Sequence, residues 1–526
     1  MVPRIDFLGD VPDEIWLLIA SFMRLRDIIC LRLTCRKLHS LTQDQLLWLR
    51  LLQGLADMEP LPPLATQILK SGAGPDGIHV EELCRFVHRT EKTWIETRSK
   101  PWSLTVRENS DPRSTTPQAL NDNSALTLLS LNVFKDRWLL IVYREALMEL
   151  WDLYPELSSK ANVSALNCPR YDAICRARTQ HHNLAYGTSC AAVLTDDDNA
   201  LLVGVTSEPN VTIVLRFSLD FRDRNYVGSE VVATFSTPSP THLLRAILPN
   251  SSVLVYSRSQ VISIVHMETH QEWNVGDDEG EEALWNGVIG AIPIADQHLL
   301  CVKTRSVELM TRLQPDGSLS DILSRSSSTP AEWNQTASIV RHEFSETSFR
   351  SVSIADPSIS LDADGNSVLN ITFLAFDVLN GLYQYRATAN LPSLSDMPLH
   401  MEVQLIGVHQ MAQTIPLTDQ LEGVRRTRSG FTQGSRAFVS ACCLGAQGKR
   451  GIWVERQRNS VKRAVYGYKV NSERVDEGSP GQRYITGQCI YEVSSFDLRD
   501  DLTHCAFAES TGLVVLGTRN GEVLLI

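Results

Sequence analysis

A few short segments of the 526-residue chain carry residue types from which chemistry can be built. Asp196, Asp197, Asp198 and Asn199 offer the oxygen ligands a hard cation prefers, but they stand between two apolar runs and read as a solvated hairpin turn. The acidic run over 277–282 would suit a basic partner and otherwise reads as an exposed loop. His181 and His182 could ligate a metal, yet no Cys or carboxylate stands near them in the chain. Gly72-Ala73-Gly74-Pro75-Asp76-Gly77 is a literal GxGxxG, a pattern that binds dinucleotides only between a buried strand and a helix. Here Pro75 interrupts it and the segment reads as a turn. Gly445-Ala446-Gln447-Gly448-Lys449 fails phosphate-loop spacing and lacks a Ser or Thr after the lysine. GxSxG, HExxH and CxxC are all missing from the sequence. The expectation is a chain that is not an enzyme, with no catalytic residue, no cofactor and no metal site.

Composition narrows the field further. A hydrophobic share of 43% with 21% charged residues is that of a globular protein with ample core. The longest apolar runs fall short of a membrane span, the N-terminus lacks a signal-peptide pattern, and the eleven cysteines are scattered and odd in number. These features predict a soluble intracellular protein, cytoplasmic or nuclear, with reduced thiols. The formal net charge is −12, and the first hundred residues are balanced, so the excess lies in the remainder. That sign argues against a nucleic-acid partner, since phosphate binding needs a basic footprint.

The N-terminal residues have helical period. Pro12 suits a first helical position, Asp13 and Glu14 complement the positive helix end, and Ile15, Leu18, Ile19 and Phe22 form one stripe. Asp27 is placed to cap a second helix bearing Ile28 and Leu31, and a third is expected over 34–41. Thr42-Gln43-Asp44-Gln45 has the form of a capping box opening a helix with Leu46, Leu47, Trp48, Leu51, Leu52 and Leu55. Helices this short bury too little surface alone, so their surplus apolar faces invite a partner, whether an outside chain or the rest of this one.

Val11-Pro12-Asp13-Glu14-Ile15, then Ile19, Phe22-Met23, Asp27-Ile28, Leu31, Cys35-Arg36 and Asp44-Gln45-Leu46-Leu47-Trp48 resemble the F-box family in order and spacing over residues 9–53. Val11 stands where the family usually has leucine, and Leu38 where it often has an aromatic. The resemblance implies docking on a Skp-type adaptor and, through it, a cullin ubiquitin ligase. It also implies that Pro12, Ile15, Ile19, Leu31, Leu47 and Trp48 form or support the adaptor-facing surface.

Pro60, Pro62, Pro63, Gly72, Gly74, Pro75 and Gly77 mark a connector, followed by a helix carrying Val80, Leu83, Cys84 and Val87, extended by Trp94 and Ile95 to Pro101. This helix would bridge two domains. The expected division is an F-box helical domain over 9–55, a linker with the bridging helix over 56–101, and a β domain over 102–526.

Beyond residue 101 the period changes to two, and a three-strand pattern recurs. The copies fall at 126–151, 190–217, 243–266, 288–310, 349–386, 438–470 and 504–526. Their strongly apolar middle strands begin near 138, 201, 253, 298, 369, 451 and 513. Repeated short strands predict radial blades, and seven copies predict a seven-bladed β-propeller. Six or eight blades, a β-sandwich or two smaller β domains are the competing architectures. The last strand, 522–526, needs a partner from near 103–106 to close the ring. Trp151-Asp152 resembles the WD-repeat dipeptide, making this a degenerate WD-repeat-like propeller by resemblance.

The fold class expected is therefore multidomain, a small α head before an all-β ring. Its expected function is that of a ubiquitin-ligase substrate receptor whose ring binds an unknown target protein. The rival reading is a propeller scaffold whose helices merely cap or dimerise it.

Overall fold

The computed structural model describes residues 11–71, 80–96, 100–104, 126–154, 173–181, 186–195, 197–208, 210–219, 229–236, 241–248, 252–259, 261–275, 286–294, 298–311, 338–344, 347–362, 366–378, 380–391, 399–411, 437–457, 460–470 and 484–526. The GxGxxG segment, the acidic run over 277–282, His182 and Asp196 lie outside these residues.

Among the described residues six helices come first: α1 Asp13–Ser21, α2 Leu25–Arg32, α3 Arg36–Leu41, α4 Gln45–Met58, α5 Pro63–Ser71 and α6 Val80–Thr93. Three local expectations are corrected. Pro12 is the cap of α1 rather than its first residue, its carbonyl accepting from the amides of Ile15 and Trp16 at 3.1 and 3.3 Å. Arg24, not Asp27, precedes α2, and Asp27 sits in the first turn, where its charge still complements the helix end. The capping box does not form. Asp44 caps α4 by accepting from the Leu46 amide at 2.7 Å, while the Thr42 hydroxyl donates back to the Leu38 carbonyl at 2.8 Å.

The segment expected to be an irregular connector contains α5, with Pro63 at its first position, where no amide is required. Ala65 and Ile68 of α5 join Ala20, Ile28, Leu47, Trp48, Leu52, Leu83 and Val87 in one buried cluster. The head core is thus built by five of the six helices, and α6 belongs to it as well as leading to the ring.

Seven antiparallel sheets follow, and they close a β-propeller. Blade 1 runs Leu128–Phe134, Trp138–Tyr143, Leu147–Asp152, Ile174–Gln180, and blade 2 Tyr186–Leu194, Ala200–Glu208, Val211–Ser218, Ser229–Ser236. Blade 3 runs Leu243–Leu248, Val253–Arg258, Val261–His266, Glu272–Val275, and blade 4 Val288–Ile294, His298–Lys303, Ser306–Thr311, Ser338–Glu343. Blade 5 runs Phe349–Ile354, Ser367–Asp377, Gly381–Leu391, His400–Gln410, with Ser358–Leu361 paired to its second strand. Blade 6 runs Ala437–Leu444, Arg450–Gln457, Lys462–Lys469, Gln488–Ser494. Blade 7 runs Leu502–Ala508, Leu513–Thr518, Val523–Leu525, and takes its fourth strand, Trp102–Ser103, from the segment after the head.

That last pairing sets Trp102 against Leu525 and Ser103 against Leu524, and the Leu104 amide donates to the Val523 carbonyl at 2.8 Å. Each inner strand touches that of the next blade, and the seventh touches the first. Seven buried clusters fill the seven inter-blade wedges; one joins Trp138, Leu140 and Val142 to Leu201, Val203 and Phe217. A blade's middle strand is covered on both faces, so Trp138–Tyr143 is buried throughout and reads as one apolar run rather than an alternation. In all seven inner strands the register slips by one residue near the strand start, at Leu129 in blade 1 and Arg350 in blade 5. Such bulges strengthen the local twist.

Asp152 of the Trp151-Asp152 pair is fully buried, accepting from Arg137 Nε and NH2 at 2.9 Å each and from Arg176 NH2 at 3.2 Å. It pins the turn between the first two strands of blade 1 to the blade's outer strand. No helix is long and apolar enough to cross a membrane among the described residues.

Candidate functional site

Helix α1 is apolar on two sides. Ala20 faces inward onto the head core, while Ile15, Leu18, Ile19 and Phe22 point outward, Ile19 at 47% and Phe22 at 84% exposure. Leu33 after α2 and Leu46 at the start of α4 are exposed too. The head has therefore spent one apolar face on itself and left another bare.

The six residues singled out from sequence divide by position. Pro12, Ile15 and Ile19 are at the surface and Leu31 is half-buried, whereas Leu47 and Trp48 are interior at 1% and 2% exposure. Trp48 holds the frame: its indole nitrogen donates to the Thr42 carbonyl at 2.8 Å and its ring lies 5.5 Å from the Arg32 guanidinium. Arg32 in turn donates to both carboxylate oxygens of Glu81 on α6, at 2.8 and 2.9 Å, and to the Thr42 carbonyl and hydroxyl. Leu47 and Trp48 thus support the surface without forming it. Leu18 and Phe22 were missed as surface residues, although the same i, i+3, i+4, i+7 stripe carries them.

The head is fastened to the turns of blades 6 and 7. The glycine-rich turn that fails as a phosphate loop is the clasp: Gln447 exchanges hydrogen bonds with the Leu61 amide and carbonyl at 3.1 and 2.8 Å, and Lys449 Nζ donates to the carbonyls of Ala56 and Glu59. Arg450, 1% exposed at its side chain, reaches Glu59 at 3.0 Å and Glu91 at 2.8 Å, and Lys469 donates to the same two carboxylates. Burial, followed by the hydrogen bond to Glu91, pushes the Glu59 carboxyl above its usual range against the pull of Lys469. Burial works against ionised Glu91 too, but hydrogen bonds from Glu59 and Lys469 and the charges of Lys469 and Arg450 hold it below that range. The two carboxyl groups share the same two cations, Arg450 and Lys469.

Beneath the clasp, the Glu509 carboxylate accepts from the amides of Lys449 and Arg450 at 2.7 and 2.8 Å and from that of Gln447. Burial first, with Asp136 adding repulsion, pushes Glu509 up to about 7 despite those three donors. Trp94, just past α6, completes the joint, its ring 5.6 Å from Phe507 and 5.1 Å from the Arg450 guanidinium. Gly512, at φ +73°, and Gly467 make room for it; a Cβ there would approach Trp94 to 2.7 and 2.9 Å.

Of the other segments with chemical potential, Asp197 folds back on its own turn, accepting from Thr195 and Asn199. Among the described residues, no group of three or more His, Cys, Asp or Glu side chains is placed to hold a metal.

Comparison with known proteins matches residues 8–53 to the F-box-like family. No curated protein matches the chain. Among solved structures, the β-propeller domain of Myceliophteria thermophila Cps50 (Swd1) is similar at 10% identity over 76% of this chain and 99% of that one, with a TM-score of 0.40. The C-terminal WD40 domain of Sif2 is similar at 8% identity over 76% and 95%, with a TM-score of 0.36. Kuenenia stuttgartiensis hydrazine synthase is similar at 10% over 78% and 98%, with a TM-score of 0.34. The blade count rests on the strand pairing described above. Residues 8–53 are an F-box-like domain, set before a seven-bladed β-propeller.

Proposed function

We propose that the protein is the substrate-recognition subunit of a cullin-type (SCF) ubiquitin ligase, acting inside the cell. The head docks on a Skp-type adaptor, and the ring captures a target protein. The observation that carries this reading is the bare stripe of Ile15, Leu18, Ile19 and Phe22 on a domain that matches the F-box-like family. Pro12 and Leu31 flank the contact, and Leu47 and Trp48 hold it in shape from within. Burying each aliphatic side chain there contributes up to about 1.5–3 kcal/mol, against the losses of association.

The chain does no chemistry in this scheme. It raises the effective concentration of a target lysine near a charged ubiquitin-conjugating enzyme. The blade 6 turn that clasps the head through Gln447 and Lys449 joins first to second strand, as does the blade 7 turn whose Glu509 supports it. Antiparallel order places second-to-third turns and blade-to-blade connections on the opposite face, which in this reading receives the target.

The test is co-expression of the full chain with a Skp-type adaptor. The Ile15→Asp/Ile19→Asp pair alters two half-exposed side chains, so it leaves the melting temperature unchanged and abolishes co-purification. Undiminished association would reject the surface. A chain that self-associates and ignores adaptor would favour the scaffold.

A further inference from the structure

Most covered cations of the ring sit against a carboxylate. Arg137 and Arg176 share Asp152, Lys303 meets Glu308, and Arg463 meets Asp501. Arg245 does not. It is the extra residue of the bulge in the inner strand of blade 3, and it is half-buried. Its Nε donates to the Ser257 hydroxyl at 2.8 Å, and its two terminal nitrogens have no acceptor among the described residues. Burial holds the guanidinium below its usual range, and the opposing pull comes from Cys301 of blade 4 rather than from a carboxylate. Glu308, whose charge also reaches Cys301, is already taken by Lys303 at 2.7 Å and approached by Arg341 at 3.8 Å. A guanidinium drawn out of water without an anion is costly to keep.

The bulges stand at one level of the ring, near the start of every inner strand and so toward the face away from the head. Three blades place a hydroxyl there, Thr188, Ser440 and Thr503, and each donates to a backbone carbonyl. Arg350 holds the position in blade 5, exposed and without an ion pair among the described residues. Asp377, near it on the next strand, accepts from Ser348 and Asn380. Arg245 and Arg350 therefore flank blade 4 at the same height. At the rim above them, Arg258 ends the second strand of blade 3 and Arg305 stands in the second-to-third turn of blade 4. Both are exposed, again with no ion pair among the described residues. In a chain of net charge −12, such a sector reverses the sign locally.

We propose that this sector of the ring holds a small oxyanion, a carboxylate- or phosphoryl-bearing molecule seated on the terminal nitrogens of Arg245, with Arg350 as the second cation. The planar fork of a guanidinium matches two oxygens of either group. The ligand is small because Arg245 is half-buried between blades, where the surface of a folded protein does not reach. The rival occupant is the chain itself, since the acidic run over 277–282 lies between blades 3 and 4 in the sequence. The site does not depend on what the head binds.

The test follows thermal unfolding of the full chain in inorganic phosphate, pyrophosphate or citrate, against chloride at equal ionic strength. A saturable rise in the wild-type midpoint is expected, and citrate against the two phosphates separates carboxylate from phosphoryl chemistry. The half-saturating concentration rises at least about tenfold in Arg245→Met, rises less in Arg350→Gln, and stays unchanged in Arg216→Gln, an exposed arginine of blade 2. In chloride alone, Arg245→Met unfolds at a higher temperature than wild type, because it removes a charge that lacks a partner. An arginine with a merely structural role would give the opposite. No saturable rise, a rise that Arg245→Met retains in full, or a lower midpoint for that variant in chloride overturns the site. A rise seen only after the carboxylates of 277–282 are changed to amides also overturns it, because the occupant is then the chain's own segment.

Discussion

Arg450 of blade 6 and Glu59 of the helical head, 391 positions apart in the chain, meet at 3.0 Å in the interior of the joint. The guanidinium is shared with Glu91 and covered by Trp94, so neither partner has water to fall back on. Removing the guanidinium leaves Glu59 and Glu91 with Lys469 for two carboxyl groups, and buried charge left short of partners costs far more than the pair itself contributes.

Arg450→Met should therefore destabilise the chain by about 3–5 kcal/mol. Urea unfolding gives the figure, and limited proteolysis should show faster cleavage between head and ring. Adaptor binding should persist, because the α1 stripe lies outside the joint. A loss under about 0.5 kcal/mol would mean that the ion pairs do not hold the head in place.

Glu509 gives the joint a pH dependence with a defined sign. Its folded pKa, about 7, is raised above the usual 4.5. The native state therefore favours the protonated form, and the associated stability is complete below pH 4.5 and lost as pH rises through 7. The shift corresponds to roughly 3 kcal/mol across that window. In unfolding series from pH 4.5 to 8, the stability of wild type relative to Glu509→Gln should fall with rising pH. A difference that stays level would refute the assignment.

Asp501→Asn should cost about 3–5 kcal/mol, since it leaves Arg463 buried without a carboxylate. Hydrogen exchange should quicken first in the 495–501 loop and in the blade 7 turn, where Arg519 and Asn520 are held. Uniform acceleration over all seven blades would contradict a local role.

Leu104→Pro removes the amide that donates to the Val523 carbonyl, and leaves that acceptor unpaired at about 1–3 kcal/mol. The amides of Val523, Leu524 and Leu525 should exchange faster while blades 2 to 5 keep their protection. Unchanged exchange there would show that the ring closes without this strand.

Much of the ring is legible in the sequence because of the double coverage of its middle strands. Runs such as Leu299, Leu300, Cys301 and Val302 are buried on both faces and announce themselves as uninterrupted apolar stretches. Outer strands such as Ser229–Ser236 face solvent along most of their length and carry no comparable pattern, so six of the blades read as three-stranded. In the head, the α1 stripe shows in the spacing, but spacing does not reveal which of two apolar faces is turned inward. Hence Leu47 and Trp48 stood beside Ile15 and Ile19 as equals although their environments differ. Helix α5 was hidden by the prolines and glycines around it. The clasp was invisible for another reason: Gln447, Lys449 and Arg450 acquire meaning only from Glu59, Leu61, Glu91 and Glu509, which no local pattern connects to them.

The pairing of Trp102 with Leu525 has a consequence for the order of events during synthesis. The head emerges from the ribosome first and can fold at once, while the strand right behind it waits for blade 7. A nascent chain therefore displays the bare stripe of α1 long before it owns a finished ring. Polypeptides that stall short of the last hairpin would carry a folded head on an unlatched body.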